Sequence, residues 1–283
     1  MKILISYESR LRPDSTAVYF QRAFEQMGHK VDHVLPEQVS QVTPGNHDLY
    51  LKVDSGVPSP WNPKFFPSHY VLIDTHLDVV FRMPEEHAGN FTSISCVHKS
   101  GLDLPWKCQN KYWLPVACDP IMHYDGPQEK KHSIAFIGNF HSQYASERVD
   151  MVDAAFRAAP DFFFGQRFFK DMARKYAESK IVFNKSLAGD MNMRCFEALC
   201  SGSLLLTDRV PDLVELGAIE KSHFWPYTTR EDLERDIPIL LSQDAMREKI
   251  ATAGRQFVLK HHKYTDRCET ILSKIKELEC LPR

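Results

Sequence analysis

The sequence predicts an α/β protein with two Rossmann-like, doubly wound domains that face a central cleft. Its 283 residues are enough for two domains of ordinary size. Short apolar runs alternate with helical patterns in both halves, as expected for parallel sheets covered by helices. A polar, turn-rich segment, DGPQEKK at 125–131, separates the halves. We therefore expect an N-terminal domain over residues 1–126 and a C-terminal domain over residues 127–283, whose C-terminal helices pack back toward the first domain.

The first domain begins with a strand–helix–strand pattern. Residues 2–6 form a short apolar run, and Ala17, Phe20 and Phe24 then recur at helical spacing. The second strand is expected at 31–35. Further strands of this half are expected at 48–53, 70–73 and 112–116. The proline inside the last run predicts an edge position for that strand.

The second domain shows the same alternation. Strands are expected at 134–137, 162–164, 180–183 and 204–207. Between them, Val149, Val152 and Phe156 fall on one face of a predicted helix, and residues 169–176 form another. Residues 230–281 are helical in pattern and rich in charge. Ligands of such open sheets bind beyond the carboxyl ends of the strands, so we expect the site there.

The composition is that of a globular protein, with 43% hydrophobic and 25% charged residues. The chain has 35 basic and 37 acidic residues, and no charge block predicts a nucleic-acid or membrane surface. No apolar run has the length of a transmembrane segment, and the N-terminal run is too short for a secretory leader. Seven cysteines without a C-x-x-C pair fit reduced thiols. We therefore expect a cytoplasmic protein.

The stretch NKSLAGDMNMRCFEALCSGSLLLTD at 184–208 carries the candidate ligand site. It starts at a strand end, and Gly189 gives its loop backbone freedom. Asp190 or Asn192 can cap the helix that follows. Arg194 and Glu197, three residues apart, are expected on a helix face near solvent.

A helix start at this position offers free backbone amides and a positive dipole end, which suit a diphosphate. Arg194 could bind phosphate oxygens in a bidentate manner, and Lys185 could stabilise the diphosphate from the same loop. His141 and Arg148 are further positive candidates. Glu197 has two acceptor oxygens for the hydroxyls of a ribose. The alternative is that Arg194 and Glu197 form only a surface ion pair worth a few tenths of a kcal/mol.

On the first domain, Asp74 and His76 follow the apolar run 70–73. Either side chain could position a sugar or take a proton from an acceptor hydroxyl, and the alternative is a simple turn after a strand. No H-E-x-x-H, Cys/His or Asp-x-Asp spacing predicts a metal site. The Gly-rich signatures of dinucleotide and P-loop proteins are also missing. We therefore expect no metal and no cofactor.

Four segments together resemble a known family: SKIVFN…GDMNMRCFEALCSGSLLLTD, YWLPVACDP at 112–120, HSIAFIGNF at 132–140 and HHKYTDRCETIL at 261–272. They are similar to spore-maturation-type (CgeB-like) glycosyltransferases of the GT-B superfamily. The resemblance implies two Rossmann-like domains, with a nucleotide-sugar held mainly by the second.

The resemblance also implies roles for individual residues. Glu197 matches the glutamate that binds ribose, and Arg194 and Asn192 match positions at the donor phosphates. Gly138 and Asn139 match the loop that approaches the donor.

One departure concerns the E-x7-E pair of related retaining enzymes. The position of its first glutamate is Gly189 here, with Asp190 beside it as a possible substitute. The donor sugar and the stereochemistry therefore stay open.

The expected activity is that of a metal-independent hexosyltransferase, and the resemblance to retaining enzymes implies retention. It would move a sugar from a nucleoside-diphosphate sugar to an acceptor that the sequence does not identify. Two alternatives remain: a nucleotide-sugar epimerase on the same fold, and a non-catalytic nucleotide-sugar-binding protein. The oligomeric state is open.

Overall fold

The computed structural model describes residues 1–10, 12–54, 67–73, 88–138, 145–187 and 189–279. The chain divides into two units, one formed by Met1–Val116 with Tyr264–Arg283 and the other by Ala117–Lys263. In each unit the described strands form one parallel sheet. The prediction of an α/β protein with two Rossmann-like domains is therefore confirmed.

The secondary structure follows the alternation that the sequence predicts. The strands are β1 (Lys2–Ser6), β2 (Lys30–Val34), β3 (Leu49–Asp54), β4 (Ser68–Leu72), β5 (Ser93–Cys96), β6 (Lys111–Trp113), β7 (His132–Ile137), β8 (Phe162–Gly165), β9 (Ser179–Asn184), β10 (Leu204–Asp208) and β11 (Trp225–Tyr227). The helices are α1 (Thr16–Gln26), α2 (Ala145–Ala158), α3 (Phe169–Ala177), α4 (Met193–Ser201), α5 (Pro211–Glu215), α6 (Arg230–Ser242), α7 (Asp244–His261) and α8 (Tyr264–Glu279). Among the described helices, none combines the length and the hydropathy of a membrane-spanning segment.

The sheet of the first unit has the order β2-β1-β3-β4-β5-β6. The central strand β3 is buried along its whole length, as expected where helices cover both faces of a parallel sheet. β6 is the edge strand that the proline at position 115 predicts. The strand β5 was not predicted, because its sequence SISC interrupts the apolar run with serines.

The sheet of the second unit has the order β11-β10-β9-β7-β8. The chain passes from β7 to β8 on one side and then returns to β9 on the other side. The carboxyl ends of β7 and β9 therefore form the topological switch point, where ligands of such sheets bind. β11 was not predicted, because its three residues, WPY, include a proline.

The buried face of α2 differs from the prediction. Val152 is buried, but Val149 and Phe156 are exposed. The helix instead turns Ala154 and Ala155 into the core of the second unit, where their small side chains permit close packing. The periodicity identifies the helix correctly, but the prediction of its buried face is wrong.

The segment before β7 belongs to the second unit. The Cys118 amide donates to the His262 carbonyl at 2.9 Å, and the Lys130 ammonium donates to the Ala177 carbonyl at 2.8 Å. These bonds explain why the division at Val116 precedes the predicted one at residue 126. 

The last helix, α8, lies in the first unit. The ring of Tyr264 stacks on Tyr19 of α1, with centroids 5.2 Å apart, and Arg267 Nε donates to the Pro115 carbonyl at 2.8 Å.

Helix α7 supports the helix that carries the candidate site. Gly254 of α7 lies against α4, and a Cβ atom there would be 2.7 Å from Leu199 Cδ2 and 2.2 Å from the His223 carbonyl oxygen. A glycine in the interior of a helix costs about 1 kcal/mol relative to alanine. Gly254 is explained by the close approach of α7 to α4 and to the backbone of His223.

We expect Gly254→Ala to destabilise the protein by roughly 1–3 kcal/mol, because the added methyl group overpacks this contact. Thr252→Ala, on the exposed face of the same helix, is the matched control and should leave the free energy of unfolding almost unchanged or slightly raised. Urea midpoints at constant slope measure both effects. A Gly254→Ala protein as stable as the control variant would refute the packing argument.

A buried histidine lies within the first sheet. The ring nitrogens of His69 share hydrogen bonds with the hydroxyls of Ser93 and Ser95, at 2.8 and 2.9 Å. Burial disfavours the charged ring and lowers the pKa of His69 to about 3. Between pH 6.5 and about 3, His69 is therefore protonated in the unfolded chain and neutral in the folded chain.

Because the folded pKa of His69 is depressed, its contribution to stability is complete above pH 6.5 and is lost as the pH falls toward 3. Below pH 6.5, this one proton should lower the free energy of unfolding by about 1.4 kcal/mol for each pH unit. Denaturant unfolding of the wild type and of His69→Gln at pH 7, 6 and 5 measures it. The free energy of unfolding of His69→Gln should fall less steeply with pH than that of the wild type, by that amount. The same slope in both proteins would contradict the prediction.

Candidate functional site

The candidate site lies at the switch point of the second sheet. Ile137 ends β7 and is followed by Gly138, while Asn184 ends β9 and is followed by Lys185. Helix α4 starts after the loop that follows Asn184. The residues predicted from the stretch 184–208 therefore lie where the fold class places a ligand.

Arg194, in the first turn of α4, joins the ends of these two strands. Its Nε and Nη2 atoms donate to the Ile137 carbonyl at 3.0 and 2.7 Å, and its Nη1 donates to Asn184 Oδ1 at 2.7 Å. The guanidinium also lies over the ring of Phe136, 4.4 Å from its centroid. Both acceptor oxygens, the Ile137 carbonyl and Asn184 Oδ1, are neutral, so they fix the guanidinium without cancelling its charge.

Gly138 is required by this arrangement. A Cβ atom at position 138 would lie 2.4 Å from Arg194 Nη2 and 3.3 Å from Phe136 Cζ. The family resemblance implies that Gly138 belongs to a loop near a donor. The structure adds that a glycine lets the chain pass close to the Arg194 guanidinium.

The loop before α4 contains Asp190 and Asn192, the two residues that the sequence predicts as caps of this helix. Asn192 occupies the N-cap position, but its side chain makes no capping hydrogen bond. It donates instead to Asn184 Oδ1 at 3.2 Å, while Asp190 Oδ1 accepts from the Leu187 amide within the loop. Gly189 adopts a left-handed conformation with φ of 78°, as its loop requires. The prediction that Asn192 caps the helix is therefore wrong, because its side chain bonds to Asn184 at the end of β9 instead.

Lys185 lies between two carboxylates. Its Nζ atom is 3.0 Å from Asp208 Oδ2 and 3.0 Å from Glu147 Oε1. Burial disfavours the charged lysine, but the two carboxylates raise its pKa above the usual value. Asp208 also accepts from the amide and the hydroxyl of Ser186, so it organises the loop beyond β9.

Arg148 of α2 is the second arginine at the switch point. It is buried and donates from Nη2 to the Lys185 carbonyl at 3.1 Å. Burial, followed by the nearby charge of Arg194, lowers its pKa to about 10, while Asp190 and Asp208 act in the opposite direction. Two guanidiniums that repel each other at one sheet edge make a favourable position for an anion.

Glu197 is buried, at 5% exposure, so its predicted position near solvent is wrong. Every α4 residue from Cys195 to Ser201 is buried, because α3, α7 and the sheet surround the helix. Arg194 and Glu197 are therefore not a solvated ion pair on an open helix face.

The structure brings together the described members of the predicted site. They lie at the carboxyl ends of β7 and β9 or in the loop and first turns of α4: Gly138, Lys185, Gly189, Asp190, Asn192, Arg194 and Glu197. Asp74, His76 and Asn139 lie outside the described residues, as does His141. In the described ranges no cluster of three or more His, Cys, Asp or Glu side chains could hold a metal ion.

Three further residues of this site were missed or undervalued by the sequence reasoning. Asp208 was expected only to close a turn, and Glu147 lies 38 residues before Lys185 in the chain. Tyr227, at the end of β11, donates from its hydroxyl to the Asn184 carbonyl at 2.9 Å. A polar residue directly after an apolar run was the available signal for Asp208. Nothing in the sequence marks the other two.

We expect Arg194→Lys to destabilise the protein by about 1–3 kcal/mol. Lysine keeps the charge but cannot donate to Ile137 and Asn184 from a planar fork. Arg209→Lys is the matched control, because Arg209 is exposed and pairs with Glu220 at the surface; its effect should stay within about 0.5 kcal/mol. Chemical denaturation measures both variants, and similar losses would contradict the special role of Arg194.

One known family matches part of the chain. Residues 144–273 match the family described as glycosyl transferase-like. No curated protein matches the sequence.

Solved structures show the fold. An alpha-glucosyltransferase in complex with UDP and a 13-mer DNA containing an HMU base has 11% identity and a TM-score of 0.70, covering 98% of this chain and 99% of that one. Sucrose-phosphate synthase from Thermosynechococcus elongatus has 9% identity and a TM-score of 0.70, covering 99% of each chain. HepE from Anabaena, in complex with UDP and glucose, has 12% identity and a TM-score of 0.68, covering 98% of this chain and 100% of that one.

These structural neighbours are GT-B glycosyltransferases. The spore-maturation type and the cleft between the domains stay predictions. The chain has the GT-B fold, and its residues 144–273 match the glycosyl transferase-like family.

Proposed function

We propose that this protein is a metal-independent hexosyltransferase that takes its sugar from a nucleoside-diphosphate donor. The observation that carries the proposal is the pair of arginines at the switch point of the second sheet. Arg194 is held there by neutral oxygens, and Arg148 lies close enough for its pKa to respond to the charge of Arg194.

A diphosphate fits this position for electrostatic reasons. It would relieve the repulsion between the two guanidiniums and would lie at the N-terminus of α4, the positive end of the helix dipole. Lys185 is the third cation at the same edge. Stabilising the negative charge of a departing diphosphate is the main catalytic task of a transferase that uses no metal.

The remaining donor contacts are assigned from the resemblance to related transferases. Glu197, buried one turn after Arg194, binds the ribose hydroxyls in this proposal. Gly138 and Asn139 are proposed to approach the donor, because they match the family's donor loop. Asp190 takes the role of the missing first glutamate of the E-x7-E pair, next to the donor sugar, with Gly189 and Asn192 completing its loop.

On the first unit, Asp74 and His76 are proposed to bind the acceptor hydroxyl. We propose retention of the anomeric configuration, which follows from the resemblance to retaining GT-B enzymes. A cytoplasmic location is proposed as well, and the described cysteines support it because all six are buried free thiols.

UDP-glucose is the first donor to test, because HepE from Anabaena is named as a complex with UDP-glucose. A ligand at about 100 times its Kd should stabilise the folded chain by about 2.7 kcal/mol in a thermal-shift assay. Sugars of GDP, ADP, CMP and dTDP serve as competitors for specificity. Turnover of the donor should be unaffected by EDTA.

We expect Glu197→Gln to weaken UDP binding at least tenfold, because an amide replaces one of two acceptor oxygens for the ribose. Binding of pyrophosphate should remain unchanged in this variant. Glu234→Gln, at an exposed position of α6, is the control variant and should bind UDP as the wild type does. Calorimetric titration of both ligands measures the split, and equal weakening for UDP and pyrophosphate would refute the ribose assignment.

Three other outcomes separate the competing functions. If no nucleoside diphosphate stabilises the protein, the donor proposal fails. Binding without turnover, even with a range of acceptors, would identify a non-catalytic binding protein. Conversion of the donor to its epimer without any acceptor would identify an epimerase.

A further inference from the structure

Glu147 occupies an unusual position for a surface carboxylate. It lies in the first turn of α2, and its side chain is 68% exposed, yet its Oε1 atom is 3.0 Å from Lys185 Nζ. The lysine side chain itself is only 9% exposed. A solvent-exposed carboxylate therefore covers a cation of the candidate diphosphate site.

The two carboxylates on Lys185 are held in different ways. Asp208, at 12% exposure, accepts from the Ser186 amide at 2.9 Å and from the Ser186 hydroxyl, so it is fixed within the loop. It also supplies the one negative charge that a buried lysine needs. Glu147 adds a second negative charge from an exposed position, where water and salt screen its attraction to Lys185.

The chain can release Glu147 without losing the contact between α2 and the loop. Arg148, the next residue, is buried and donates to the Lys185 carbonyl at 3.1 Å. This second anchor keeps the start of α2 in place when the Glu147 side chain turns into solvent. An incoming anion would thus replace Glu147, whereas Asp208 would stay.

We propose that Glu147 is an internal competitor of the donor diphosphate. Its carboxylate takes the place of a phosphate oxygen at Lys185 when the site is empty and returns there to assist release of the nucleoside diphosphate. This inference rests on the proposed function. It predicts that ligands with a diphosphate compete with Glu147, whereas a nucleoside without phosphate does not.

The test is the affinity of Glu147→Gln for UDP, measured by calorimetry, together with the dissociation rate from stopped-flow displacement. The Kd for UDP should fall roughly threefold to tenfold, with slower dissociation, because the competing charge is removed. Binding of uridine should not change. Asp150→Asn is the matched control: it removes one negative charge from an exposed position of the same helix and should leave the UDP affinity near that of the wild type.

The outcomes distinguish this inference from the proposed function. Wild-type protein that binds UDP as tightly as Glu147→Gln, or more tightly, overturns the inference alone. An equal gain in UDP affinity in Asp150→Asn also overturns the inference, because the gain would then come from the lower negative charge of α2 and not from the contact between Glu147 and Lys185. If the wild type binds neither UDP nor pyrophosphate, the proposed function fails and the inference fails with it.

Discussion

The hydrogen bonds of Arg194 tie together the two strand ends on which the candidate site depends. A guanidinium is suited to this task because it presents several donors in one plane, and two of its nitrogens bind the single Ile137 carbonyl while a third binds Asn184. Gly138 must then lack a side chain, since the guanidinium occupies the space that a Cβ would need. The same group leaves a positive charge at the switch point, so one side chain both joins the strands and sets the electrostatics for a ligand.

The charges around Arg194 fall into a fixed set and an exchangeable one. Asp208 is buried and bonded to Ser186, and it compensates Lys185 as part of the folded structure. Glu147 is exposed, so water or another anion can replace it at low cost. This difference matters because a site whose cations were all permanently neutralised would not attract a diphosphate. A site with none of them neutralised would lose stability through repulsion between buried cations.

The sequence predicts the two parallel sheets well because their inner strands are buried on both faces and contain continuous apolar runs. It fails for β5 and β11, whose serines or proline break that run although neighbouring strands still pair with them. It also fails for the buried face of α2, since helical periodicity cannot tell which of two apolar faces meets the core. The sequence predicts those residues of the candidate site that lie within the stretch 184–208. Glu147 and Tyr227 reach it only through the fold, so no local pattern reveals them.

The spacing of Arg194 and Glu197 shows why tertiary surroundings decide the meaning of such a pattern. On an isolated helix, residues three apart are neighbours, and opposite charges there form a weak ion pair. Helix α4 is enclosed by two helices and the sheet, so both side chains must find partners inside the protein. Arg194 finds them at the strand ends, and Glu197 stays buried one turn further on. The helical spacing therefore identifies the two residues, but the burial of Glu197 follows only from the helices and the sheet that pack around α4.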